Sequence, residues 1–359
     1  LQASAGTYTE NVNITKSLTI QGEPGAILDG TGIGGNGFLI HASNIKITGF
    51  EIKNFDNGIR TYGGPSNFGN LEIVENNIHD NISTGIVLLY DTFADVTIEN
   101  IQIDNTTGGN GIGIANSTTI NGQLLIKNTT ITNSNDHALY FNGATVDEFL
   151  SQNSNYQHSK RFQGIQLSNA TFSSFKIEGG FINGNKGCGI TLSQGASNLG
   201  IFSLINVGVK NNEQSGLLLG GGSSADSILF KNCEFKGNAW EEVDLSGGWF
   251  GPFSVTGGTT LEGNVFGGKA WAAIYIGDKA SFGKMPKFRY NDLSGNGWGV
   301  LNASQELIDA TLNWWGDICG PNDNSDDSPQ PYLAYNPNPG GRNVSNLVMY
   351  CPNWDAFPN

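Results

Sequence analysis

Three short stretches decide the fold: GIGI at 111–114, ALYF at 138–141 and GIQL at 164–167. Each starts with a small residue and continues with apolar side chains at alternate positions, the pattern of a strand with one buried face. Successive copies along the chain start 27, 26, 27, 26, 25, 27, 26, 31 and 26 residues apart. They begin at Gly58, Gly85, Gly111, Ala138, Gly164, Gly189, Gly216, Glu242, Ala273 and Gly299. Internal repetition at this spacing is typical of a solenoid.

The repeat predicts an all-β fold, a single-stranded right-handed parallel β-helix. Such short strands cannot bury their apolar faces alone, so we expect about ten to twelve coils stacked at about 4.8 Å. Ile112, Leu139 and Ile165 should then lie one above another inside the stack. The right hand follows from the general preference of parallel crossovers. A propeller fits less well because its blades need about 40–45 residues each. We expect the β-helix over residues 1–310 and a loop-rich C-terminal cap over residues 311–359.

The composition agrees with a coiled ribbon that has many tight corners. The 359 residues include 51 Gly and 44 Asn, the residue types that most readily adopt positive φ. Asn76, Asn100 and Asn128 recur at predicted corners, where they can form amide ladders. The net charge of −14 argues against a nucleic-acid partner, whose phosphates require Lys and Arg. No apolar run approaches the roughly 20 residues of a membrane span.

Four cysteines and the first residues bear on localisation. Cys319 and Cys351 flank a tail rich in Pro, Asn and Asp, and a disulfide between them would stabilise the fold by about 3 kcal/mol. Cys188 and Cys233 are expected to be free residues of the core. The sequence begins as strand and turn, without an initiator Met, so we expect that a preceding segment has been removed.

A C-terminal motif adds a family resemblance. The segments NWWGD at 313–317 and CGP at 319–321 resemble the NWWG…GP ending of exported right-handed parallel β-helix repeat proteins, a pectate-lyase-like superfamily. The resemblance implies an extracellular or cell-surface location, and a partner that is a polysaccharide or a cell-surface glycan lying along the stacked sheet. The ending occurs in polysaccharide-degrading enzymes and in surface adhesins alike, so it does not decide between them.

The candidate catalytic residues lie on two adjacent predicted coils. Asp136, His137 and Tyr140 are on one coil, and the irregular basic stretch with His158, Lys160 and Arg161 is on the next. A polysaccharide lyase needs a base that removes a proton and a cation that neutralises the uronate, and these side chains supply both. In the alternative interpretation, Asp136 and His137 form a corner hydrogen-bonding pair and the basic stretch is a solvated loop.

The candidate substrate-binding residues point outward from the predicted sheet: Arg60, Tyr62, Gln166, Trp240, Asp244 and Tyr275. Glu241, Glu242 and Asp244 cluster beside Trp240 and Trp249, and a glycosidase would need two such carboxylates. The alternative interpretation is that these aromatic side chains fill an enlarged coil.

The sequence favours a carbohydrate-interacting β-helix that binds an extended glycan, with cleavage by a lyase or a glycoside hydrolase as one hypothesis. The alternative is a non-enzymatic surface, adhesion or structural protein. No cofactor is required and no metal cluster is recognisable, although the acidic segment 322–327 has oxygen ligands that suit a structural Ca²⁺. We expect a monomer.

Overall fold

The computed structural model describes residues 1–62, 67–192, 195–245, 251–268, 270–324 and 336–351. The regular elements in this part of the chain are all strands, and nearly all of them pair in parallel with strands of neighbouring coils. The predicted parallel β-helix is therefore confirmed, with about 11 turns. None of these residues belongs to a helix with the length and apolar character that a membrane crossing requires. The chain divides into two compact units, Leu1–Phe175 and Lys176–Asn359.

The first unit contains seven strands of the aliphatic repeat, which form what we call the repeat sheet. These strands are Val12–Ile14, Asn36–Ile40, Asn57–Thr61, Thr84–Leu89, Ile112–Ala115, Leu139–Asn142 and Ile165–Ser168. The other strands are Gln2–Ala3, Gly6–Tyr8, Thr19–Gly22, Ala26–Asp29, Ile45–Thr48, Glu51–Lys53, Asn67–Val74, Asn77–His79, Thr92–Glu99, Gln102–Asp104, Thr119–Lys127, Thr130–Thr132, Thr145–Gln157 and Thr171–Asn183, the last of which contains residues of both units.

Apolar side chains form the predicted inner row of the first unit. Ile112 pairs in register with Leu139, and Leu139 with Ile165. All three side chains are fully buried. Tyr140, between the inward Leu139 and Phe141, points to the outer face because side chains alternate along a strand. The repeat thus decides both the buried interior and the residues that face outward.

Asparagine occupies many of the corners, as the composition predicts. Asn100 and Asn128 have φ of 55° and 48°, a conformation that β-branched residues rarely adopt. The Asn128 side-chain amide donates to Asn100 Oδ1 at 3.2 Å, which confirms a ladder between these two residues. Asn76 has a different role, because it is buried and its Oδ1 accepts the Phe50 N–H at 3.0 Å.

The second unit has its own strands of the aliphatic repeat, Ile190–Leu192, Leu217–Leu219, Glu241–Leu245, Ala272–Ile276, Trp298–Asn302 and Asn343–Val344. Its other strands are Ile201–Ile205, Gly208–Lys210, Ser223–Ala225, Ser227–Lys231, Glu234–Lys236, Phe253–Val255, Thr259–Glu262, Val265–Gly267, Ala280–Phe282, Lys287–Arg289, Ile308–Asp309 and Val348–Met349. The predicted cap thus contributes two short strands after residue 340. Its predicted boundary at residues 310 and 311 stays a prediction.

Two ladders of buried asparagines run through the second unit. The Asn185 amide donates to Asn212 Oδ1 at 2.9 Å, and the Asn212 amide donates to Asn238 Oδ1 at 2.8 Å. The second ladder joins Asn264, Asn291 and Asn313 at 3.0 and 3.1 Å. These amides satisfy one another and nearby backbone groups where water is excluded, which a buried polar side chain requires. Asn313 is the first residue of the NWWG segment, so that part of the motif has a structural role.

The cysteines correct one prediction. All four are free, with Cys188 and Cys233 buried, as expected, and Cys319 and Cys351 exposed. The predicted Cys319–Cys351 disulfide is therefore wrong in this structure. A loop-closure argument estimates only the gain from closing a loop, whereas a disulfide also requires two Cα atoms about 4.4–6.8 Å apart. Sequence spacing does not determine that distance.

Candidate functional site

Three aromatic rings stack on one another at one edge of the repeat sheet in the first unit. We call them the ring stack: Phe162, His137 and Tyr140. The His137 ring centroid is 5.0 Å from that of Tyr140, with the planes 18° apart. On its other side it is 5.3 Å from the Phe162 ring, at 23°. Phe162 is 40% exposed. The three rings thus stack face to face, and Phe162 at one end is the ring most open to solvent.

The coil repeat explains why these rings meet. Asp136 lies two residues before Ala138, and Phe162 lies two residues before Gly164, so the two positions correspond on successive coils. His137 lies two residues before the strand Leu139–Asn142, from which Tyr140 points outward. Residues that are about 25 positions apart in sequence therefore become neighbours in space.

Charged side chains form a rim beside the ring stack. Arg161 Nη1 lies 3.5 Å from Asp136 Oδ1, and the Arg161 guanidinium lies 5.0 Å from the Phe162 ring centroid. The Arg161 side chain is 60% exposed, so this ion pair contributes little to stability. Lys160 turns to a corner residue and donates to Asn105 Oδ1 at 2.7 Å. The rim therefore places hydrogen-bond donors and acceptors next to an apolar ring face.

The electrostatics of the ring stack do not favour a catalytic base. Burial lowers the pKa of His137 to about 4, and a backbone hydrogen bond with Gln163 offsets this only in part. Burial also raises the pKa of Tyr140, although a hydrogen bond with Ser168 acts in the opposite direction. A general base works best when its pKa lies near the working pH. His137 is neutral and weakly basic near neutral pH, and the Tyr140 phenol keeps its proton.

Two predicted residues lie away from the ring stack or are inaccessible. His158 is a corner residue with φ of 52°, and its Nδ1 lies 3.4 Å from Thr132 Oγ1. Gln166 is 1% exposed, and its amide donates to the Leu167 carbonyl at 3.0 Å. The structure therefore brings together Asp136, His137, Tyr140 and Arg161 of the predicted set, and Gln166 offers no surface to a ligand.

A second aromatic contact lies on the same sheet of the first unit. Tyr62 is 57% exposed and its ring centroid is 4.4 Å from that of His41. Arg60, two residues earlier, pairs in register with Val87 and points outward. Arg60 and Tyr62 are thus accessible, as predicted.

The second unit carries its own aromatic surface, which we call the tryptophan surface: Trp240, Trp271 and Tyr275. Trp240 and Trp271 are 49% and 53% exposed. The Trp271 ring centroid lies 5.7 Å from that of Tyr275, with the planes 48° apart. Trp249, which the sequence analysis placed nearby, lies outside the described residues.

Carboxylates accompany the tryptophan surface. Asp244 is the register neighbour of Tyr275 on the adjacent strand and is 7% exposed. Glu241 is half-buried and accepts the Ser215 hydroxyl at 2.8 Å. Glu242 differs because it is fully buried and accepts the Gly237 N–H at 3.0 Å. Asp244 and Glu241 therefore lie on the side of the strand that carries Tyr275 and the tryptophans, whereas the Glu242 side chain lies in the interior.

Sequence reasoning missed Phe162, Trp271 and His41. A signal was available for the first two, because Phe162, Trp240 and Trp271 each lie two residues before the start of a repeat copy. Aligning the copies would have grouped them as one aromatic position. His41 and Tyr62 directly follow Ile40 and Thr61, which pair in register, but the strand before His41 precedes the first repeat copy that the sequence pattern identified.

Within the described ranges, no group of three or more His, Cys, Asp or Glu side chains is arranged to hold a metal ion. Of the predicted calcium segment 322–327, residues 325–327 lie outside the described residues. The Asn324 amide donates to Asn322 Oδ1 at 3.2 Å, and the Asn322 amide donates to Asn343 Oδ1 at 2.9 Å. A structural Ca²⁺ there stays a prediction.

Comparisons with known proteins give a likeness to a solved structure. No protein-family model matches the chain, and no curated protein sequence matches it. Among solved structures, the chain is similar to the A-module of the mannuronan C-5 epimerase AlgE6 of Azotobacter vinelandii, at 13% identity and a TM-score of 0.47. The match covers 100% of this chain and 91% of that one. The pectate-lyase-like assignment and the extracellular location stay predictions.

Proposed function

We propose that the chain is a carbohydrate-binding β-helix, and that its first unit holds a neutral, extended glycan on the ring stack. The observation that carries this proposal is the stack itself, whose end ring Phe162 is 40% exposed and has Asp136 and Arg161 beside it. The C–H groups of a sugar ring pack on aromatic faces, and its hydroxyl groups need donors and acceptors at the edge. Such a surface combines an apolar platform with few, well-placed polar groups.

Binding is better supported than cleavage. The low pKa of about 4 makes His137 a weak base, and Tyr140 holds its proton, so neither suits the proton removal that a lyase performs. Asp136 lies 3.5 Å from Arg161, and its carboxylate oxygens can accept hydrogen bonds from sugar hydroxyl groups.

A neutral glycan is favoured over an acidic one. The net charge of −14 gives the protein a field that repels a polyanion. Of the two cationic groups near the stack, Arg161 already faces Asp136, and Lys160 donates to Asn105. The local positive charge that a uronate polymer would need is therefore largely used within the protein.

The test compares Phe162→Ala with wild type in binding to a neutral β-linked glucan and to a polyuronate. We expect wild type to prefer the glucan, and Phe162→Ala to weaken its binding about 10-fold, because exposed aromatic anchors typically contribute 1 kcal/mol or more. Titration calorimetry and affinity electrophoresis measure this change. The matched control is Phe181→Ala, which removes a 50% exposed ring from a strand outside the repeat sheet.

Equal affinity of Phe162→Ala and wild type for the glucan would contradict the proposal. Tighter binding of the polyuronate than of the glucan by wild type would contradict it as well. The same samples are assayed for new reducing ends and for unsaturated products. Their appearance would show that the chain cleaves the glycan, which the basicity of the ring stack does not lead us to expect.

A further inference from the structure

The tryptophan surface of the second unit has a regular geometry. The Trp271 N–H donates to the Trp240 carbonyl at 2.8 Å, so the two residues occupy equivalent positions on adjacent coils, about 4.8 Å apart. Both indoles are half exposed, and Tyr275 contacts the ring of Trp271. Two large indoles on adjacent coils therefore present apolar ring surface to solvent.

The charge around these rings is negative. Burial raises the pKa of Tyr275, and the charges of Asp244, Asp278 and Glu241 raise it further. Burial likewise raises the pKa of Cys188 to about 12, with smaller contributions from Asp244 and Glu241. Asp244 pairs in register with Tyr275, and Glu241 pairs with Ala272, the residue after Trp271, so both carboxylates lie beside this surface.

We propose that the tryptophan surface binds the ammonium group of an amine-bearing saccharide. A cation is attracted to the faces of Trp and Tyr rings, and more strongly where water is partly excluded. Asp244 and Glu241 add direct charge complementarity, and the indole faces accept the apolar side of the sugar ring. This inference is independent of the proposed function, because it concerns other residues, another unit and a ligand of different charge.

The chemistry separates this surface from the ring stack. The ring stack carries a cation, Arg161, at 5.0 Å from its outermost ring, whereas the described charges that act on Tyr275 are carboxylates. A protonated amine would be repelled at the first surface and attracted at the second. One pair of ligands that differ only in an amine is therefore enough to distinguish them.

The experiment uses the full chain and two probes of equal length, an oligomer of glucosamine with protonated amines and its fully N-acetylated form. Binding is followed by tryptophan fluorescence and by titration calorimetry. We expect Phe162→Ala, in which the ring stack for neutral glycans is weakened, to bind the glucosamine oligomer about 10-fold more tightly than the acetylated one. Trp271→Ala should bind the glucosamine oligomer about 10-fold more weakly than wild type does. Glu241→Gln should reduce the preference for the glucosamine oligomer over the acetylated one. Added salt should weaken binding of the glucosamine oligomer alone.

Phe162→Ala serves as the control, because it removes an exposed ring from the other unit and should leave amine binding unchanged. Circular dichroism of each variant verifies folding, and Asp278→Asn, at an exposed position, tests the charge contribution without disturbing buried groups. Equal affinity of Phe162→Ala for the two oligomers would overturn the proposal, as would unchanged amine binding in Trp271→Ala. Unchanged glucan binding in Phe162→Ala, with amine binding that depends on Trp271, would contradict the proposed function and leave this inference standing by itself.

Discussion

Raising the pH from about 4.5 to about 7 is expected to cost the second unit about 3 kcal/mol of stability, because Glu242 is buried in its interior. Burial raises the pKa of Glu242 from 4.5 to about 7, although hydrogen bonds from Asn238 and Gly237 act to lower it. The folded state therefore favours the protonated acid. Above pH 4.5 the unfolded chain ionises while the folded chain does not, so stability falls until both forms are ionised near pH 7.

The position of Glu242 in the repeat explains its burial. It occupies the place that Gly216 has on the preceding coil, and it is fully buried beside Asn238, where the asparagine ladder stops. On the next coil Gly268 leaves room for it, because a Cβ there would lie 3.1 Å from Glu242 Oε1. The side chain thus ends a polar row in a site that excludes water.

Denaturant unfolding of wild type and of Glu242→Gln across this pH range tests the prediction. The variant should show little of the pH dependence, whatever its stability at a single pH, because glutamine does not titrate. Glu241→Gln, which changes the neighbouring half-buried carboxylate, serves as the control and should keep the wild-type slope. If the free energy of unfolding fell equally steeply with pH in wild type and in Glu242→Gln, Glu242 would be excluded as the source of the pH dependence.

Trp315→Ala is expected to destabilise the second unit by about 3–5 kcal/mol, the usual cost of removing a large buried aromatic side chain. The indole is fully buried and meets the Tyr350 ring edge-on at 6.4 Å. Gly299 leaves space for it, because a Cβ at that residue would lie 2.6 Å from the indole. The alanine variant would leave a cavity at the last coils.

Trp314→Ala is the matched control, because Trp314 is adjacent in sequence but only half-buried. Hydrogen exchange provides the readout, with Trp298–Asn302 as the reporter strand and Ile112–Ala115 of the first unit as the internal reference. Exchange of the reporter strand should rise strongly in Trp315→Ala and weakly in Trp314→Ala. Similar exchange in the two variants would show that the buried indole is not what holds the NWWG segment in place.

The sequence predicted the interior better than the surface. Ile112, Leu139 and Ile165 stack as expected because a repeating buried row leaves a periodic record in the sequence. The Phe162 contact with His137 was not predicted, because the residue two positions before each repeat copy varies in type along the chain and carries no periodic apolar pattern. The low pKa of His137 and the high pKa of Glu242 follow from burial, which residue type alone does not reveal. The predicted Cys319–Cys351 disulfide is wrong for a similar reason, because the spacing of two cysteines in sequence does not define the distance between them in space.

The in-register rows of the first unit also bear on how such proteins evolve. Because Gly113, Tyr140 and Gln166 occupy one position on successive strands, duplicating a whole module would add a single rung and preserve every contact within the others. A partial duplication would shift apolar side chains into solvent, so selection should remove it. Relatives of this chain should therefore differ in length by whole modules, and their reach along a ligand should change in the same discrete steps.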